Sequence, residues 1–226
     1  MTKKVLLLDT LPDWVVTKLQ DMGCSVVVKS GAAEMELPQL LREINPRILI
    51  VRSTRVSRAM IEAARDLSLI IRSGAGYNTI DVAAASERSI YVSNCPGKNA
   101  IAVAELTMGL ILSLDRRIPD NVSDLRQGIW KKKEYSKAKG LFGRTLAVIG
   151  TGNIGKEVIH RAKAFGLHVV AYSRSLTPET AEALGVTYAP AIIDAVRQAD
   201  IVSIHLALAP ELKGVINAAV FDAMKE

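Results

Sequence analysis

Gly150, Gly152 and Gly155 have the G-x-G-x-x-G spacing that can hold the pyrophosphate of a dinucleotide. The chemistry is steric and electrostatic. Gly150 allows a tight turn, Gly152 lets the main chain approach phosphates without an intervening Cβ, and Gly155 lets a new helix lie close on its strand. The anion then meets the unpaired N–H groups at the positive end of that helix. Such spacing alone is a weak signal. It gains weight from the apolar run Leu146 to Ile149 before it and the amphipathic segment after it.

Other groups could work with an anion or a cofactor. Arg52-Ser53-Thr54-Arg55 and Arg72-Ser73-Gly74-Ala75-Gly76-Tyr77-Asn78 are loops rich in donors. Gly74 and Gly76 free the backbone to aim N–H groups at an anion, while Arg52 and Arg72 bring positive charge. Short loops of this composition are also ordinary turns with solvated arginines, and the residues alone favour that reading. About twenty residues past the glycine turn, an acid would normally accept bonds from the ribose hydroxyls. Here the tract is Ser173-Arg174-Ser175. A hydroxyl beside a guanidinium suits a 2′-phosphate, which favours NADP over NAD; a solvated or adenine-stacked Arg174 fits either cofactor. His205 ends an apolar run and faces a nicotinamide or packs structurally, the latter being commoner for a lone histidine. Glu105, in an apolar segment, reads as a paired or capping carboxylate that orders a hinge.

These groups need a frame, and the hydropathy supplies one. Strands are expected at Val5–Leu8, Ser25–Val28, Arg47–Val51, Leu69–Ile71 and Ile90–Val92. Between them, helices are expected at Pro12–Asp21, Pro38–Glu43, Ser57–Arg65 (Ser57 as N-cap) and Val82–Arg88. Short apolar strands alternating with helices predict a parallel sheet covered on both faces, with ligands beyond the carboxyl ends of the strands. Asn94-Cys95-Pro96-Gly97-Lys98-Asn99 breaks the pattern as a hinge before a helix from Ala100 to Leu114, extending as far as Gln127 in its longest reading. Gly128-Ile129-Trp130 and the following lysines form a polar arm, with Trp130 either anchoring an interface or covering the domain's own surface. A second alternation follows. Its strands are the run before Gly150, His168–Tyr172, Val186–Tyr188 and Ile201–Leu206; its helices run to Phe165 and over Glu179–Leu184, Ile192–Gln198 and Ala218–Lys225.

Composition narrows the function. Among 226 residues, 49% are hydrophobic and 23% charged, as in a folded globular protein. No apolar run reaches the ~20 residues of a membrane helix, and the N-terminus does not read as a signal peptide. Cys24 and Cys95 lack metal or redox spacing, which places the chain in a reducing, cytoplasmic setting with no metal. The net charge of +6 is dispersed and aromatics are only 4%, so nucleic acid is a poor partner and small anions are better ones.

Taken in order, Val51-Arg52-Ser53, Arg72 to Gly76, Asn94 to Asn99, Ala104-Glu105-Leu106-Thr107, Gly128-Ile129-Trp130, the glycine turn and His205 to Leu208 resemble the D-isomer-specific 2-hydroxyacid dehydrogenases. That resemblance covers essentially the whole chain and reverses the reading of the two loops as plain turns. It implies a flavodoxin-like α/β substrate domain over 1–98 and a Rossmann cofactor domain over 99–226, both built on parallel sheets, with substrate in the cleft. Ser73, Gly74, Ala75 and Gly76 would hold the substrate carboxylate through N–H groups; Arg52, Ser53 and Arg72 would lie at the substrate, the arginines facing a phosphate. Asn153 and Ile154 would present N–H groups to the pyrophosphate bound by Gly150, Gly152 and Gly155. Ala75, Thr107, Ser173, Arg174, Ser175, His205, Leu206 and Ala207 complete the cofactor-facing set. Ser173 stands where NAD-dependent members have aspartate, Ala207 replaces a usual proline and Leu212 a frequent threonine.

The implied reaction is hydride transfer between NAD or NADP and a small 2-hydroxy or 2-keto acid, 3-phosphoglycerate foremost. Hydroxypyruvate or glyoxylate reduction and a non-catalytic dinucleotide-sensing regulator are the alternatives. The family's catalytic arginine, glutamate and histidine fall beyond Glu226, so the resemblance implies a cofactor domain cut short and no catalytic residue in this chain. The long helix and the Trp130 arm are dimer surfaces in the family, which implies a homodimer through residues 100–143.

Overall fold

A computed structural model of the chain describes residues 2–225. It divides into two units, Met1–Lys98 and Asn99–Glu226. The first unit contains β1 (Lys3–Leu7), α1 (Asp13–Asp21), β2 (Cys24–Val28), a 3₁₀ turn (Glu34–Glu36), α2 (Leu37–Ile44) and β3 (Ile48–Val51). It continues with α3 (Arg58–Ala63), β4 (Leu69–Arg72), α4 (Val82–Glu87) and β5 (Tyr91–Ser93). All strand pairs are parallel and the order is β2-β1-β3-β4-β5, the flavodoxin-like doubly wound arrangement. A sheet covered on both faces needs strands that are apolar throughout rather than alternating. The central strands meet this: Val5, Leu6, Leu49, Val51 and Ile70 are fully excluded from solvent. Each such side chain contributes about 1.5–3 kcal/mol of hydrophobic stabilisation.

The second unit opens with α5 (Ala100–Arg116), α6 (Ile118–Arg126) and α7 (Lys132–Tyr135). A sheet unit follows: β6 (Thr145–Ile149), α8 (Asn153–Ala164), β7 (His168–Tyr172), α9 (Pro178–Leu184) and β8 (Thr187–Tyr188). It ends with α10 (Ile192–Gln198), β9 (Ile201–Ile204), a 3₁₀ turn (Pro210–Leu212) and α11 (Ala218–Asp222). Its strands are also parallel, in the order β8-β7-β6-β9. That is the first half of the Rossmann order continued by one strand across the switch. Ala104, Met108 and Ile111 of α5 pack with Val158, Ile159 and Ala162 of α8 over Leu146 and Val148.

Several local expectations are corrected. Arg117 takes φ +50° and ends α5, and Pro119 sits in the first turn of α6, so no single helix runs to Gln127. Within the polar arm a short helix, α7, forms. Tyr135 there donates to Asp124 at 2.5 Å while Lys131 pairs with the same carboxylate at 3.1 Å. Ser57 occupies the N-cap of α3 without a side-chain bond; its backbone carbonyl accepts from Met60 and Ile61 instead. The last strand closes at Ile204, leaving His205 just beyond it, and α11 ends at Asp222.

Candidate functional site

In each sheet the chain leaves a central strand in one direction and returns on its other side, which opens a crevice at the carboxyl ends. The first switch lies between β1 and β3, and the second between β6 and β9. Of the sequence-predicted groups, Arg52 and Ser53 follow β3 beside the first switch, Gly150 and His205 flank the second, and Ser173, Arg174 and Ser175 follow the neighbouring strand β7.

At the second switch the three glycines have separate reasons to be glycine. Gly150 takes φ +103°, and a Cβ there would lie 2.5 Å from the His205 carbonyl oxygen. A Cβ on Gly155 would overlap the carbonyl oxygen of Gly150. Gly152 differs: its φ of −70° suits any residue, and a Cβ would meet no protein atom within 4 Å. Nothing in the protein's own fold demands glycine there, so the open face above it is where a ligand's approach would. Gly152 is also the N-cap of α8 and no side chain caps the helix, which leaves the first-turn N–H groups of Asn153 and Ile154 for an anion. These features fit a dinucleotide pyrophosphate.

The neighbouring strand ends complete this crevice. The His205 N–H donates to Ile149 at 2.7 Å, and its Nε2 is 2.8 Å from the Ser203 hydroxyl. Burial pushes the imidazole pKa below its ordinary value of 6.5, because it disfavours the charged ring. Leu206 packs with the apolar cluster behind the sheet, whereas Ala207 is exposed. Past β7, the Ser173 and Ser175 hydroxyls are 3.5 Å apart and Arg174 is exposed. The Thr107 hydroxyl donates back along α5 to the Val103 carbonyl at 2.8 Å. Glu105 is exposed and pairs with Arg161 of α8 at 3.5 Å, tying two helices of the second unit rather than ordering the 94–99 segment.

At the first switch, Asp9 follows β1 and organises the loop after β3. One carboxylate oxygen accepts the N–H groups of Arg52 at 2.6 Å and Thr54 at 3.2 Å; the other accepts the Ser53 hydroxyl at 3.2 Å. Partial burial works to raise the Asp9 pKa, but these bonds outweigh it and the net shift is downward. The single hydroxyl hydrogen of Ser53 is therefore committed to Asp9. In the loop after β4, the Ser73 N–H donates to Val51 and the Gly74 N–H to Arg72, so Ala75 and Gly76 keep the N–H groups without a partner among the described residues. The Arg72 side chain folds over Gly74, and its buried Nε has no hydrogen-bond partner. The Asn94 amide donates to the Ala75 carbonyl at 2.6 Å and fixes the loop from behind.

Asp9 and Ser203 hold neighbouring site residues in place and were not singled out from the sequence. Asp9 had one legible signal, an acid at the carboxyl end of a buried strand. Ser203 had none, since it matters only through its spatial neighbour His205.

Comparisons with known proteins bear on the family and the fold. The family model described as "D-isomer specific 2-hydroxyacid dehydrogenase, NAD binding domain" matches residues 108–226. A D-3-phosphoglycerate dehydrogenase of Methanocaldococcus jannaschii is 38% identical over 224 residues, covering 99% of this chain and 42% of that protein. A hydroxypyruvate reductase of Thermotoga maritima is 41% identical over 193 residues, covering 84% of this chain and 60% of its own length. The chain thus spans roughly half the length of these relatives. The crystal structure of the TT0316 protein of Thermus thermophilus superposes with a TM-score of 0.88 at 32% identity, over 98% of this chain and 70% of that one. With the glycine turn, both sheet orders and a family model over more than half its length in agreement, the chain belongs to the D-isomer-specific 2-hydroxyacid dehydrogenases.

Proposed function

We propose that this chain supplies the acid-binding and dinucleotide-binding parts of an enzyme that moves a hydride between NADP and 3-phosphoglycerate. The observation that carries the dinucleotide half is the open face of Gly152 above the uncapped N-terminus of α8. Asn153 and Ile154 donate to the pyrophosphate, and Ser173, Arg174 and Ser175 receive the 2′-phosphate. On the acid side, Ala75 and Gly76 donate to the carboxylate, and Arg52 and Arg72 pair with the phosphate. Among the described residues neither guanidinium has a carboxylate within salt-bridge distance, which leaves both charges for an anion. When bound, the nicotinamide supplies the hydride.

The test is a fluorescence titration with NADPH. Gly152→Ala should weaken binding at least tenfold while leaving the melting temperature nearly unchanged, because the added methyl meets ligand and not protein. Unchanged affinity would sink the assignment. For the acid, Arg52→Ala should weaken 3-phosphoglycerate binding far more than glycerate binding in calorimetry; equal losses remove the phosphate contact. The hydroxypyruvate reductase relative favours a second reading, reduction of an unphosphorylated keto acid, which predicts those equal losses.

We further propose a homodimer through residues 100–143. Helix α5 buries Ala100, Ala104, Met108 and Ile111 on one side, yet leaves Ile101, Leu106, Leu110 and Leu114 between 56% and 79% exposed. A helix apolar all round is normally covered on every side. Sedimentation should give a dimer that Leu110→Glu converts to monomer.

A further inference from the structure

Arg174 has a competitor for any phosphate that would bind it. Its Nη1 lies 3.6 Å from Oε1 of Glu211, in the 3₁₀ turn that follows β9. The spacing is that of an ion pair without a hydrogen bond, and the two side chains are 65% and 59% exposed. Such a pair is weak and exchanges readily. Its importance is positional: a carboxylate from a different strand end rests on the one guanidinium of the Ser173-Arg174-Ser175 tract.

We propose that Glu211 sets the balance between NAD and NADP by holding Arg174 against a 2′-phosphate. The inference rests on reading that tract as the adenosine-ribose site. With NAD, the ribose brings no charge and the Arg174–Glu211 pair stays closed. With NADP, a group of nearly two negative charges must replace the carboxylate on Arg174 and then lie beside it, where like charges repel. The Ser173 and Ser175 hydroxyls can donate to ribose or phosphate alike, so they do not discriminate and the carboxylate does. Glu211 thereby lowers a preference for NADP that Arg174 creates, and it contributes part of the acidic character missing at Ser173.

The test titrates NADH and NADPH into the whole chain by fluorescence, with 2′,5′-ADP and 5′-AMP as displacing probes. It uses the unmutated protein, Glu211→Gln, Arg174→Ala and the double variant. Glu211→Gln should raise NADPH affinity relative to NADH by about twofold to fivefold at low salt and less at high salt, where exposed charges are screened. 2′,5′-ADP should gain over 5′-AMP in parallel. In the Arg174→Ala background the same substitution should give a smaller gain, because no guanidinium remains to be released. A ratio unmoved by Glu211→Gln, with Arg174→Ala still weakening NADPH, overturns the role of Glu211 alone. Arg174→Ala without effect on NADPH overturns the ribose-site reading and this inference with it.

Discussion

The loop after β4 and the turn after β6 both place glycines at the carboxyl end of a buried parallel strand, but they are supported differently. At Gly150 and Gly155 the atoms that exclude a side chain are main-chain carbonyls, His205 against the first and Gly150 against the second. At Gly74 the excluding atoms belong to the Arg72 side chain. The neighbouring loop after β3 likewise leans on a side chain, the carboxylate of Asp9. One switch point is thus built from backbone against backbone, and the other from charged side chains holding backbone. The first arrangement suits a ligand part common to every dinucleotide. The second can vary without disturbing the sheet, because exchanging one arginine or acid changes only the charge the loop presents.

The largest expected effect tests that contrast directly. Gly155→Ala should destabilise the second unit by about 1–3 kcal/mol or more, because its Cβ overlaps a main-chain oxygen that cannot swing aside. Gly74→Ala should cost under about 1 kcal/mol, since the far end of Arg72 can move away. Its signature should be weakened acid binding. Thermal melts of both variants read the difference. Equal destabilisation would show that the Arg72 loop is as rigid as the glycine turn and end the distinction.

Next comes the carboxylate support. Asp9→Asn keeps the shape and removes the charge that the Arg52 and Thr54 N–H groups favour. It should lower stability by about 1 kcal/mol at neutral pH, a figure reduced for the group's partial exposure. The sign follows from the pKa, which is depressed below its ordinary 3.8 in the fold. The stabilisation is complete above that value and is lost as pH falls through the lower folded one. The difference in melting temperature between the two proteins should therefore persist at pH 5 and shrink below 3.8. A difference constant down to pH 2 would show that shape, not charge, supports the loop.

What the sequence made legible follows the same division. Apolar runs such as Ile48–Val51 and Leu146–Ile149 have to be buried strands, and helices between them dictate parallel sheets, so the fold class was readable from hydropathy alone. Gly150 and Gly155 were readable too, because the spacing states a backbone requirement that is local. The end of α5 was less so: Arg117 gives no hint of its left-handed conformation, although Pro119 marks the start of a new helix. Side-chain supports were least legible. Asp9 meets Arg52 because β1 and β3, distant in sequence, pair in one sheet, and Glu211 reaches Arg174 across the end of β6, which lies between their two strands. Nothing at either position alone names its partner.

The smallest effect concerns the imidazole at the backbone-built switch. Burial lowers the His205 imidazole pKa from 6.5, and its Nε2 lies 2.8 Å from the Ser203 hydroxyl. An unfolded chain takes up that proton at the ordinary value before the folded chain does. The contribution to stability is therefore whole above 6.5 and declines as pH falls through it. The second unit should weaken between pH 7.5 and 5.5, well before acid reaches the Asp9 support in the first. His205→Gln removes the titrating group and should flatten that decline, which melts across the pH range can measure. The decline should also be visible as a low midpoint in the NMR titration of this imidazole. A midpoint at or above 6.5 would mean that water reaches the ring, and the crevice beside Gly150 would then be wetter than a backbone-built switch requires.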